Sequence, residues 1–149
     1  MTTIPADLAA WCDANDARAL DELCAWLRMP SVSARSEHAA DCEAAAEFLA
    51  EDLARLGFVT VVEGTPGHPI VVGEWRKAGP KAPTLLIYGH YDVQPAEPLE
   101  LWTSPAFEPT VRDGKLFARG SVDDKGQLHL HIKALEAHIA TRGALPCNI

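Results

Sequence analysis

Apolar residues recur at helical spacing over residues 5–28, where Leu8, Trp11, Leu20, Leu23, Trp26 and Leu27 predict one or two helices. The proline and serines of "MPSVSARSEH" break that period and predict a loop. The period returns over 38–56, with Ala45, Phe48, Leu49, Leu53 and Leu56 on one face and Gly57 placed to stop the helix. "FVTVVEG" and "PIVVGEW" are β-branched runs joined by a Gly/Pro turn, which predicts two strands. "TLLIYGH" is a short continuous apolar run and predicts a central strand covered on both faces.

Residues 94–109 hold four prolines and no period, so a long loop is predicted, of the kind that is often functional. "TVRDGKLFARG" reads as a hairpin turning at Asp113-Gly114. "DDKGQLHLHIKALEAHIATRG" reads as a third helix, opened by acids and ended by Gly143, and "LPCNI" begins another strand. The order predicts an α/β fold in three layers, with a largely parallel or mixed central sheet, helices on both faces, and a sheet left incomplete at its C-terminal end.

Composition narrows the class. The chain has 149 residues, 48% hydrophobic and 23% charged, which suits one globular domain. A formal charge of -8 argues against nucleic acid and anionic membranes as partners, since both need basic surface. The N-terminus has no basic segment followed by a cleavable apolar core, and no apolar run is long enough to span a bilayer, so a cytoplasmic setting is expected. Cys12, Cys24, Cys42 and Cys147 form no C-x-x-C and read as free thiols.

The chemistry starts where the "TLLIYGH" strand ends in His90 and Asp92. Positions i and i+2 of a strand share a face, so the two side chains can lie together at the carboxyl end of the strand, where open α/β sheets bind ligands. A metal-bound imidazole usually donates its other N–H to a carboxylate. Taken alone, His-x-Asp is commonly incidental. Asp123 and Asp124 stand at a loop-to-helix junction, where helix capping, taken alone, is the better account of them. A carboxylate there could meet His90 across a crevice, and histidine nitrogen with carboxylate oxygen suits zinc-like divalent metals.

Together, "GHYDVQP" and "DGKLFARGSVDDKG", with "MPSVSA" at 29–34, resemble the co-catalytic dizinc metallopeptidases that include glutamate carboxypeptidases, carnosine dipeptidases and aminoacylases. The resemblance implies that His90 binds one zinc, that Asp92 contributes to catalysis by orienting His90, and that Asp123 bridges two zinc ions. It also implies that Asp124 follows Asp123 through a cis peptide bond. Manganese or cobalt would fit the same ligands. The implied reaction is hydrolysis of the amide bond of dipeptides or short peptides, with "GHYDVQPA" leaning toward the dipeptidase branch. N-acyl-amino-acid hydrolysis and a non-catalytic α/β piece are the alternatives.

In that family a Glu-Glu pair, further ligands and an inserted dimerisation domain lie further along the chain. The resemblance therefore implies that residues 1–149 are the N-terminal portion of a catalytic domain, inactive alone and prone to self-association through an open sheet edge, within a homodimeric whole protein. His38, His68, His129, His131 and His138 fall on no motif and read as structural or surface residues. Lys125 reads as a solvated lysine of the first helical turn, and Trp102 as a packing residue.

Overall fold

The computed structural model describes residues 4–149. Helix α1 spans Ala6–Leu27 and helix α2 spans Ala39–Arg55. After Gly57, whose φ of 83° ends the helix, strands β1 (Val59–Glu63) and β2 (Ile70–Glu74) pair antiparallel, with Val61 opposite Val72. A second hairpin joins β3 (Thr110–Arg112) to β4 (Lys115–Phe117) through Asp113 and Gly114, both at positive φ. Helix α3 spans Lys125–Arg142 and ends on Gly143 at φ 74°.

One apolar core joins these elements. Trp26 of α1, Ala45 and Leu49 of α2, Phe58, Trp75, Ile132 of α3 and Leu145 are all buried within it. The Trp26 ring stacks on Phe48 at 5.9 Å, and its Nε1–H donates to the Ala45 carbonyl at 3.1 Å, so the indole buries no unmet donor.

The helices are also held by charge. Lys133 and Glu136 on α3 are buried and pair with each other, Lys133 also pairs with Glu22 of α1, and Glu136 with Arg18 and Arg55. Burial alone would push the Glu136 carboxyl up, but hydrogen bonds from Lys133, Arg55 and Arg18 outweigh it and hold the pKa at about 2. A carboxylate depressed in this way stabilises the fold at pH above its unfolded value, and that contribution fades as pH falls from about 4.5 toward 2. Urea unfolding at pH 6 and pH 3 should therefore differ by a component on the order of 2 kcal/mol that Glu136→Gln abolishes. An equal pH dependence in the variant would remove Glu136 from the account.

Two parts of the sheet differ from the sequence expectation. "TLLIYGH" forms no regular ladder and is not covered on both faces, because Leu86 is 88% and Tyr88 86% exposed. Its pairing is a single parallel bridge between Thr84 and Asn148, with Leu85 N–H donating to Asn148 O at 2.8 Å. An apolar run records what a strand would bury but not whether its neighbours lie within the same stretch of chain. The outward residues of the first hairpin, Val59, Val61, Ile70 and Val72, are also exposed, while α2 packs against the inner side of both strands.

The last residues are seated between these two pieces of sheet. Trp75 and Ile149 exchange both backbone hydrogen bonds, at 2.9 and 3.0 Å, while Asn148 bridges to Thr84 on the other side. The gap between β2 and residues 85–91 is an apolar cleft of about 660 Å³, with Leu49, Leu53, Leu135 and Ile149 among its walls. His90 and Asp92 line this cleft.

Candidate metal centre

The backbone at Gly89 brings the chain unusually close to α3. A Cβ on Gly89 would lie 2.8 Å from Asp124 Oδ2 and 3.1 Å from Leu128 Cδ1. The same Asp124 oxygen accepts the His90 backbone N–H at 3.1 Å. Asp124 thus fixes where the His90 backbone sits. Gly89→Ala should displace that carboxylate and cost about 1–3 kcal/mol of stability, read from the urea midpoint. An unchanged midpoint would mean that the close approach does not constrain the site.

His90 and Asp92 face each other. The Nδ1 of His90 lies 3.1 Å from Asp92 Oδ1 and 3.1 Å from the Asp92 carbonyl, so Nδ1–H is the donor in this geometry. Its Nε2 points the other way and lies 3.1 Å from Asp123 Oδ1. Partial burial acts to lower the imidazole pKa, but the Asp92 carbonyl and the charges of Asp92 and Asp124, with the hydrogen bond to Asp123, raise it overall. The Asp123 side chain is 78% exposed, and the peptide bond between Asp123 and Asp124 is cis.

Lys125 is the clearest correction. It is fully buried rather than solvated, with Nζ donating to the carbonyls of Trp26 at 3.0 Å and Met29 at 2.8 Å. Burial pushes its pKa down to about 8. The lysine that follows the two aspartates therefore anchors the start of α3 to the end of α1 and the loop after it. That loop is in turn stitched to the strand end: Ser31 Oγ donates to Tyr91 O at 2.7 Å, and Val93 N–H donates to Ser31 O at 2.9 Å. Ser33 Oγ donates to Asp92 Oδ2.

Among the described residues no other histidine bonds this pair, although His68 and His131 line the same cleft. His129 is buried on α3, where Nε2 donates to Ala19 O at 2.9 Å, and burial lowers its pKa. His38 bonds Asp41 at 2.7 Å, and His68 reaches the Ser33 carbonyl at 2.9 Å. Trp102 packs under the Arg119 guanidinium, 5.4 Å from the ring centre, and donates to Ala96 O at 2.8 Å.

Imidazole Nε2 and a carboxylate oxygen converging on one point is a donor set that suits a borderline divalent cation. It is not a closed site. Among the described residues no group of three or more His, Cys, Asp or Glu converges to hold a metal ion. His90 and Asp123 therefore fit one side of a metal centre, with Asp92 behind the imidazole.

A helix-backed α/β framework with an imidazole–carboxylate pair just past the extended residues 84–89 defines the class, and solved structures with that framework superpose on nearly the whole chain. Human carnosine dipeptidase 1 matches 96% of it at a TM-score of 0.89 and 27% identity, over 32% of that protein's chain. The di-peptidase Dug1p of Saccharomyces cerevisiae matches 95% at 0.84 and 25% identity, over 32% of its chain. The M20 family metallo-carboxypeptidase Sso-CP2 of Sulfolobus solfataricus matches 87% at 0.77 and 36% identity, over 29% of its chain.

Residues 86–149 match the model of peptidase family M20/M25/M40. Among curated relatives, the succinyl-diaminopimelate desuccinylase of Aromatoleum aromaticum is 43% identical over 95 residues, which is 64% of this chain and 24% of that protein. The one from Azoarcus sp. is 42% identical over 94 residues, 63% of this chain and 24% of that protein. The match thus spans about a quarter of the length of these relatives.

Proposed function

We propose that this chain is the N-terminal portion of the catalytic domain of a metal-dependent hydrolase that cleaves the amide bond of dipeptides or short peptides. The observation that carries this reading is the line of side chains Asp92–His90–Asp123, in which each ring nitrogen of His90 lies 3.1 Å from a carboxylate oxygen. Asp123 would bridge two zinc ions, His90 would bind one of them, and manganese or cobalt would suit the same donors. A metal pair held by these residues would supply Lewis acidity for amide hydrolysis. This chain's own part is to hold Nε2 of His90 bare and aimed, by keeping its ring proton on Nδ1 against Asp92.

A second reading is favoured by the curated relatives, which are named as desuccinylases: hydrolysis of an N-acyl amide on an amino acid. Both reactions break an amide with the same machinery, and the acyl group separates them. A longer protein that contains residues 1–149, assayed with a dipeptide and with an N-succinyl amino acid, should turn over the dipeptide with the higher kcat/KM. The reverse order would select the acyl-amide reading, and no metal-dependent turnover of either would sink both.

The 149-residue chain alone should hydrolyse neither, because its described residues bring only two ligand side chains to the centre. Its cleft and exposed strand faces should instead drive self-association. Sedimentation at several concentrations should show mass rising with concentration, and a monomer at every concentration would show that the open edge is inert. The whole protein is proposed to be a homodimer. No helix among the described residues is long and apolar enough to cross a membrane, and the four free thiols suit a reducing cytoplasm.

A further inference from the structure

We propose that Ser33 is a positioning residue of the centre: its hydroxyl sets the rotation of the Asp92 carboxylate and so holds the proton of His90 on Nδ1. The inference rests on the hydrolase reading above. Asp92 has two oxygens with two different partners. Oδ2 accepts the Ser33 hydroxyl, and Oδ1 lies 3.1 Å from His90 Nδ1. With Oδ2 engaged, Oδ1 is held toward the ring. Without the hydroxyl, the carboxylate is free to turn about its terminal torsion, which is broad and two-fold in aspartate.

The loop carrying Ser33 is built for this task independently of that hydroxyl. His68, in the connection between β1 and β2, donates from Nε2 to the Ser33 carbonyl at 2.9 Å. Ser31 is buried and bonds the strand end on both sides of Asp92, at Tyr91 and Val93. Lys125 fixes the loop's first carbonyl, that of Met29, at 2.8 Å. Three anchors therefore keep the backbone in place when the Ser33 side chain is cut back, and the Ser33→Ala variant should fold.

The direction of the effect follows from His90. Asp123 demands a ring nitrogen without a proton if a cation is to sit between them, and only the Nδ1–H tautomer leaves Nε2 bare. The Asp92 backbone carbonyl also accepts from Nδ1 at 3.1 Å, so the question is whether the carboxylate's orientation adds to it.

The test is nitrogen-15 NMR of the His90 ring in the 149-residue chain, at a pH where the ring is neutral, with no metal added. The wild type should show the Nδ1–H pattern, Ser33→Ala should shift toward the Nε2–H pattern of free imidazole, and Ser33→Thr should restore it. Cobalt(II) affinity of the longer protein should fall about 10–100-fold in Ser33→Ala and recover in Ser33→Thr. An unchanged tautomer in Ser33→Ala would overturn the proposal and leave the hydrolase reading standing. A wild-type ring protonated on Nε2 would instead remove the orientation on which both rest.

Discussion

Asp123→Ala in the longer protein is expected to abolish the proposed amide hydrolysis while leaving the fold intact. The Asp123 side chain is 78% exposed and, among the described residues, its one hydrogen-bond partner is His90, so its removal opens no cavity. The chemical loss is large. A carboxylate that bridges two cations both holds them at working separation and shares in neutralising their charge. Losing several kcal/mol of transition-state stabilisation from the metal pair corresponds to about a 10³-fold fall in kcat/KM or more. Circular dichroism and the urea midpoint should stay near wild type, which separates this outcome from unfolding. Near-normal turnover in the variant would show that Asp123 caps α3 and does nothing else.

The largest effect on stability is expected at Trp26. The residue is 1% exposed, stacks on Phe48, and donates its ring N–H into α2. It also lies under Lys125, whose Nζ is 5.8 Å from the ring centre and bonds the Trp26 carbonyl. Trp26→Ala removes a core side chain that α1, α2 and the start of α3 share, at a cost of about 3–5 kcal/mol in urea unfolding. Because the buried Lys125 ammonium would lose its aromatic neighbour and gain a void, the site loop should loosen with it. Hydrogen exchange at residues 29–33 and 121–126 should rise more than at β3 and β4. Uniform exchange changes across the chain would place the coupling elsewhere.

These two residues mark what could be read from the chain. Helical spacing located α1, α2 and α3 and their stops, since Gly57 and Gly143 adopt the positive φ that ends a helix. Asp113-Gly114 announced its hairpin because both positions need positive φ. The candidate site was legible as two short motifs, and His90 and Asp92 do lie side by side, although the stretch that carries them is irregular and not the central strand expected. What the pattern could not carry was long-range partnership. Residues 84–90 read as a covered strand because apolar runs state a need for burial, whereas cover depends on segments that local periodicity cannot see. Lys125 read as solvated because lysine is rarely buried, and only the fold shows two carbonyls waiting for it. Ser31 and Ser33 were visible only within "MPSVSA", and nothing local showed that Ser31 would bond Tyr91 and Val93 or that Ser33 would bond Asp92; His68 gave no signal.

The central claim is that His90 and Asp123 hold a metal ion between them, with Asp92 behind the imidazole. The direct measurement is an anomalous difference map from crystals of the longer protein grown with zinc. The account predicts a peak about 2.0–2.2 Å from both His90 Nε2 and an Asp123 oxygen, with Asp92 still bonded to Nδ1. A zinc-loaded crystal in which His90 Nε2 remains bonded to Asp123, with the anomalous density elsewhere, would contradict it.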